Sequence, residues 1–376
     1  MPKIYIIAGE ASGDNIGAKL MREILKQNPD SEFYGIGGEK MQEIGMNLLF
    51  PAKELSIMGF LEIIPAIPKM WLRIRKAVAD IIKVQPDIVI TIDSSGFTFR
   101  VAKAAKNKIS AKLIHYVAPT VWAYKPERAK ETAEIYDKLL AVLPFEPTYF
   151  IKEGLDTYFV GYPALEDLHI SSKEYFRMKF NVPKGNLLLC MTPGSRKQEV
   201  KTLLPIFLKA AKLLQQRLKK NITIAIPSQE NVTNLIKTYT KDSHNIMLVD
   251  EKDKQDLFSS ADLALTKSGT ITTELSFFRI PMVVSHRINW LSYRFIKRLL
   301  KVKYATIINL IANEEIIPEL IQGRCKAKLI ASELERLTDI KQRQKQLHGI
   351  NSSLDKLTLD NSPSKTAATI ILKELK

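Results

Sequence analysis

The sequence predicts an α/β protein built from two doubly wound parallel-sheet domains, and three observations carry that expectation. Apolar strand-like runs alternate with amphipathic helical stretches, five or six times within about the first 160 residues. The alternation restarts at Asn186, after a crossing at GYPALEDL. A chain of 376 residues also exceeds one ordinary core and fits two domains of roughly 150 to 200 residues each. Boundaries are expected at 1–165 and 166–345, with a helical segment over 346–376.

The first element, KIYIIAGEASGDNIGAKLMREIL, reads as strand, small-residue turn and helix. Its glycines, Gly9, Gly13 and Gly17, permit close backbone approach but miss the G-x-G-x-x-G spacing of dinucleotide sites, so no bound NAD is expected. Glu10 and Asp14 put two carboxylates at the carboxyl end of the strand, where capping is the competing role. SEFYGIGG follows as a second strand and turn. From Leu55 to Lys76 the chain is apolar and then basic, with Met58, Phe60, Ile64 and Trp71 along it and Lys69, Arg73, Arg75 and Lys76 in its last third. Pro65 and Pro68 are expected to prevent one long helix there. An apolar, basic-edged surface that meets lipid suits this composition, against a buried connection. PDIVITIDSSGF is a strand ending in Asp93, which either points a carboxylate into the crevice above the sheet or serves the Asp-Ser-Ser-Gly turn. In KLIHYVAPTVWAY, His115 lies within the strand and reads as a hydrogen-bonded interior histidine.

The second half opens with NLLLCMTPGSRKQEV, a strand and a Gly194-Ser195-Arg196 turn before a helix. Backbone N–H groups, helix dipole and guanidinium there suit a diphosphate, the alternative being an ordinary turn with an exposed arginine. NITIAIP and NIMLVD are further strands. ADLALTKSGTITTELSFFRIPMVVSHR is a βαβ unit whose Ser268-Gly269-Thr270 turn fits an anion. Glu274, one helical turn on, either accepts from a ribose diol or completes a capping box. Arg294, Lys297, Arg298 and Lys301, interleaved with Trp290, Leu291 and Phe295, fit either a solvated basic face or an interfacial helix at anionic lipid. Asn309 closes an apolar strand or loop, and the remainder reads as helix.

Lys and Arg total 56 against 40 Asp and Glu, a formal charge of +16, which favours an anionic partner. Basic runs mixed with leucine and isoleucine, without a recognised nucleic-acid module, exclude nucleic acid. Cys190 and Cys325 are isolated thiols, which indicates a reducing compartment and no metal knuckle. With neither a signal segment nor an apolar run near the roughly 20 residues of a spanning helix, a cytoplasmic protein is expected.

Taken together, AGEASGD, ID..GF, HYVAPTVWAY, PGSR followed by Glu199, SGTITTEL, PMVVSHR and Asn309-Leu310 resemble the lipid-A-disaccharide synthase family over nearly the whole chain. The family usually has IDxPxF, LPGSR and a histidine where this chain has IDSSGF, TPGSR and Tyr162. The resemblance implies the GT-B type fold, two Rossmann-like domains with an inter-domain cleft. It implies inverting transfer of 2,3-diacylglucosamine from UDP-2,3-diacylglucosamine to 2,3-diacylglucosamine 1-phosphate, without metal or cofactor. By this resemblance the N-terminal domain faces acceptor lipid and membrane, with Asp93 or Glu10 as general base. The C-terminal domain holds the UDP donor on Gly194, Ser195, Arg196, Ser268, Gly269, Thr270, Glu274 and Asn309. Met58, Phe60, Ile64, Arg294, Lys297, Arg298 and Lys301 face an anionic inner-membrane surface, to which the protein is peripherally attached, or else belong to the core or a homodimer surface. A UDP-sugar 2-epimerase acting on a soluble sugar, or a non-catalytic lipid-binding protein, are the competing functions.

Overall fold

The computed structural model describes residues 1–55, 63–241 and 243–375, with backbone alone at 63–67, 291, 292, 295 and 296. The chain forms two compact units, Met1–Pro163 with Leu357–Lys376, and Ala164–Lys356. The first contains the strands β1 (Lys3–Ala8), β2 (Glu32–Gly37), β3 (Asn47–Pro51), β4 (Ile88–Ile92), β5 (Lys112–Tyr116), β6 (Lys138–Ala141) and β7 (Asp156–Phe159). The second contains β8 (Leu187–Thr192), β9 (Ile222–Pro227), β10 (Ile246–Val249), β11 (Leu263–Thr266), β12 (Met282–His286) and β13 (Glu319–Ile321).

Every strand pairing is parallel, in the orders β3-β2-β1-β4-β5-β6-β7 and β10-β9-β8-β11-β12-β13. Central strands such as β1 and β4 are buried and largely apolar on both faces because helices cover both faces of a parallel sheet. The order reverses between β1 and β4 and again between β8 and β11. At such a switch point adjacent helices leave opposite faces, and the crevice beyond the strands' carboxyl ends stays open to a ligand.

Several expectations require correction. The 346–376 segment is not one appendage: helix Ile340–Asp355 packs in the second unit, whereas helix Pro363–Leu372 packs on helix Ala11–Gln27 of the first. Ala367, Ala368 and Ile371 are buried there, an apolar face that period-3.6 spacing alone cannot assign to a sheet. One helix runs from Ile63 to Val84 with Pro68 inside it, because a proline near the helix start removes few intrahelical bonds. Residues 307–312 form a helix rather than a strand, started by the Thr306 hydroxyl accepting from the Asn309 N–H. The short edge strands β3 and β13 had no strong alternation to announce them.

Candidate functional site: two switch points

In the first unit, the turns after β1 and β4 meet. The strands pair Ala8 with Ile92, so Glu10 and Asp93 follow neighbouring strand ends. Asp93 and Ser94 are both left-handed, at φ of 50° and 46°, and Val117 beyond β5 is left-handed at 76°. Non-glycine residues held there cost roughly 1 to 3 kcal/mol each, and such strain collects where function requires a fixed geometry. The turn is locked by bonds from the Asp93 N–H to the Tyr116 carbonyl (3.0 Å), from the Ser94 N–H to Asp93 Oδ1 (2.7 Å) and from the Thr98 hydroxyl to the Asp93 carbonyl (2.9 Å). Gly9 is required because a Cβ there would lie 2.7 Å from Ser94 Oγ. Among the described residues Asp93 Oδ1 therefore has only a local partner. Glu10, exposed, starts helix Ala11–Gln27 in an extended conformation without a side-chain cap bond.

Asp14 caps a helix other than its own. Its carboxylate accepts from the N–H groups of Gly38 (2.8 Å), Met41 (3.1 Å) and Lys40 (3.2 Å), capping the helix after β2. His115 is fully buried, with Nδ1 2.7 Å from the Thr91 hydroxyl and its ring stacked on Tyr136. Burial pushes its pKa down to about 3, despite hydrogen bonds at Thr91 and Val117 that raise it, so it stays neutral. Glu146, absent from the sequence expectations, is buried and accepts from Trp122 Nε1 (3.1 Å) and the Leu143 (2.9 Å) and Val142 (3.1 Å) N–H groups. Burial pushes its carboxyl up to about 7 against the pull of those three donors. A lone glutamate in the apolar run LPFEP was the available signal.

In the second unit, the turns after β8 and β11 are tied by the Thr192 and Thr266 hydroxyls (2.6 Å) and by the Lys267 N–H bonding the Thr192 carbonyl (3.0 Å). They border a cavity of about 380 Å³ lined by Gly194, Ser195, Lys254, Lys267, Gly269, Thr270 and Glu274. A larger groove of about 940 Å³ among Asn186, Lys212, Asn221 and Asn245 lies at the opposite strand ends, without converging carboxylates or turns. The smaller cavity is the candidate site on chemical grounds.

Five of the eight residues expected at a nucleotide thus line one cavity: Gly194, Ser195, Gly269, Thr270 and Glu274. Their local chemistry differs from the expectation. Glu199 Oε2 accepts from the Ser195 (3.2 Å) and Arg196 (3.3 Å) N–H groups, so the chain's own carboxylate takes up donors read as a phosphate cradle. Gly194, at φ of 124°, is glycine because a Cβ would sit 2.4 Å from Glu199 Oε2. The Arg196 side chain is 84% exposed. Thr270 makes no side-chain cap bond, Ser268 Oγ lies 2.5 Å from His286 Nδ1, and the following helix spans only Ile271–Phe277, too short for much dipole. Glu274 pairs with Lys254 at 3.3 Å rather than closing a capping box. Burial pushes Lys254 down, but Glu274 and Glu251 outweigh it and hold the ammonium above its usual range. Asn309 is fully buried, its amide spent on Ile316, Ile317 and Glu319 at 2.8 to 3.0 Å. It braces the segment leading to β13 and leaves no atom for a ligand.

Of the lipid-facing candidates, Met58 and Phe60 lie outside the described residues, and Ile64 is described only in its backbone. On helix Ile63–Val84, Trp71 and Leu72 are 53% and 62% exposed, and the Arg75 guanidinium sits 3.5 Å over the Trp71 ring. Helix Trp290–Leu299 exposes Trp290 at 64%, with Arg294 over its ring at 5.7 Å and Lys297 over Tyr293 at 6.0 Å. Arg298 and Lys301 complete that basic edge, Lys301 just beyond the helix. Among the described residues no helix is long and apolar enough to cross a membrane.

Comparison with solved structures gives the same architecture. UDP-GlcNAc 2-epimerase from Neisseria meningitidis, bound to UDP-GlcNAc, aligns at a TM-score of 0.64 with 15% identity over 99% of both chains. Acinetobacter baumannii MurG aligns at 0.60 with 12% identity, covering 99% of this chain and 100% of that one. At such identity only the fold is shared, here the GT-B type. Sequence is more discriminating: the lipid-A-disaccharide synthase of Rickettsia akari (strain Hartford) is 43% identical over 382 residues, covering all of this chain and 96% of its own. The family profile described as Lipid-A-disaccharide synthetase matches residues 4–372. A match that spans both sheets and both switch points leaves one assignment: the chain belongs to the lipid-A-disaccharide synthetase family.

Proposed function

We propose that this glycosyltransferase moves 2,3-diacylglucosamine from UDP-2,3-diacylglucosamine to the 6-hydroxyl of 2,3-diacylglucosamine 1-phosphate, giving a β-1,6 disaccharide 1-phosphate and UDP in lipid A synthesis. The observation that carries it is the full-length family match, whose motifs fall on the two switch points. The second unit holds the uridine diphosphate in the 380 Å³ cavity, with Glu274 toward the ribose and the Gly194–Arg196 and Ser268–Thr270 turns toward the phosphates. As the acceptor oxygen bonds to the anomeric carbon, the bond to the diphosphate breaks and its electron pair stays on the phosphate oxygen. Fixed donors around that oxygen favour the transition state over the ground state.

Asp93 takes the proton of the attacking hydroxyl. Its carboxylate is held by a left-handed turn and, among the described residues, has only the adjacent Ser94 N–H as partner. Glu10, on the neighbouring strand end, is the second candidate. Both substrates carry acyl chains whose full extraction into water would expose CH₂ groups at roughly 0.8 kcal/mol each, so the protein works at an anionic bilayer surface. Trp71 and Leu72 supply apolar contact, and Arg294, Lys297, Arg298 and Lys301 supply charge. A product assay with the two acylated substrates, read by mass, tests the reaction. Absence of the disaccharide 1-phosphate, or turnover of an unacylated UDP-sugar instead, would overturn it.

A further inference from the structure

The geometry points to Lys267 as the cation that binds the donor's diphosphate and offsets the charge developing on it as UDP leaves. This rests on the nucleotide reading of the second unit. Lys267 ends the strand side of the βαβ stretch that carries the site, immediately before the Ser268–Thr270 turn. Its ammonium is 2.8 Å from Glu199 Oε1, and its side chain is 20% exposed. Its Cε lies 3.4 Å and its Nζ 3.9 Å from where a Cβ on Gly269 would be. The ammonium thus lies close to Gly269 and is bonded to the carboxylate that holds the Ser195 and Arg196 N–H groups.

Three features of the surroundings make a cation necessary here. The Ser195 and Arg196 N–H groups are already taken by Glu199, so the start of helix Lys197–Leu218 offers fewer free donors than its sequence suggested. Glu199 is itself an anion bonded to two residues that line the cavity, Ser195 and Lys267. Burial pushes its carboxyl up, but the Lys267 bond and charge, with the Arg196 N–H, prevail and hold it below the usual range. A diphosphate entering beside an ionised carboxylate is repelled unless a positive charge lies between them. Of the two lysines lining the cavity, Lys254 is paired to both Glu251 (2.5 Å) and Glu274 (3.3 Å). The Lys267 ammonium has Glu199 as its one hydrogen-bond partner among the described residues, and an ammonium carries three donors. Glu199 acts as the positioning residue that holds the ammonium between the turns. No proton moves: an N–H of Lys267 donates to the phosphate oxygen that receives the electron pair of the breaking bond.

Calorimetry with UDP and with uridine separates this role from that of a strut joining the turns. Glu199→Gln combined with Lys267→Met removes both charges and leaves no buried ion unpaired. Relative to Glu199→Gln alone, the double variant should lose about 10- to 100-fold in UDP affinity, the scale of a charge-assisted contact to phosphate. Uridine affinity should stay within about twofold, since the base and ribose contacts remain. Lys267→Arg should retain most of the UDP affinity. Loss of UDP and uridine affinity in parallel, or no loss of either, overturns the inference and makes Lys267 a strut. Wild-type protein that binds UDP no better than uridine would instead overturn the nucleotide reading on which it rests.

Discussion

The two sheets present the same topological feature, a reversal beside the first strand, and furnish it in opposite ways. At the β1/β4 switch point the backbone is strained and the carboxylates are sparsely partnered: Asp93 and Ser94 are left-handed, and Glu10 is exposed. At the β8/β11 switch point the charges are cross-linked, Glu199 to Lys267 and Glu274 to Lys254. A proton acceptor needs a lone pair kept free at a fixed position, whereas an anion site needs charge held in place before the ligand arrives. Topology supplies the crevice, and the residues after each strand decide its chemistry.

Asp93→Asn is the most severe test of that contrast, because asparagine tolerates the left-handed turn and only the basicity is lost. Turnover should fall by roughly 10² to 10⁴ while UDP affinity, a property of the other unit, stays unchanged. Steady-state rates and calorimetry measure the two. A variant with near wild-type kcat would make Asp93 a turn residue and shift the role to Glu10.

The comparison extends to the exposed apolar-basic helix on each unit. A basic residue near an anionic leaflet contributes about 1 kcal/mol, so replacing Arg294, Lys297, Arg298 and Lys301 by Ser should lower vesicle partitioning by about three orders of magnitude at low salt and far less at high salt. Trp71→Ser with Leu72→Ser should weaken flotation at any salt and raise the apparent KM for lipid. If neither changes flotation, these helices are surfaces of another kind, and sedimentation would test whether they pair two copies of the chain.

Arg196→Ala bears on the second unit alone. Under the proposed function its exposed guanidinium contacts the donor's diphosphate, so the variant should lose about tenfold in UDP affinity by calorimetry. Unchanged affinity would leave Lys267 and the turns as the whole phosphate site.

The smallest effect concerns the neutral core of the first unit. The native pKa of His115, about 3, lies below an unfolded value near 6.5, so its contribution to stability is complete above about pH 6.5 and is lost as pH falls toward 3. His115→Phe gives up the Thr91 hydrogen bond at about 1 kcal/mol near neutral pH and should flatten the acid limb of Tm against pH. An unchanged acid limb would assign that slope to another group.

How much of this was legible beforehand follows from what each signal measures. Asp93 at a strand end and the Ser268–Thr270 turn could be placed from sequence, because apolar runs and small-residue turns are local properties of a buried parallel strand. The interior role of His115 was legible for the same reason, since it sits inside an apolar run. Asn309 was not: a motif position reveals no direction, and only the folded chain brings Ile317 and Glu319 against its amide.

By itself, then, the sequence determined the class of fold, the strands that carry the site and the family. Tertiary structure alone decided which partner each site residue meets. Glu199 could be read as a helix-start carboxylate, but its pairing with Lys267, 68 positions away, exists only because β8 and β11 lie side by side. Likewise, nothing in residues 357–376 announces the first unit; a helix's apolar stripe states that it must be buried, and the fold determines against what.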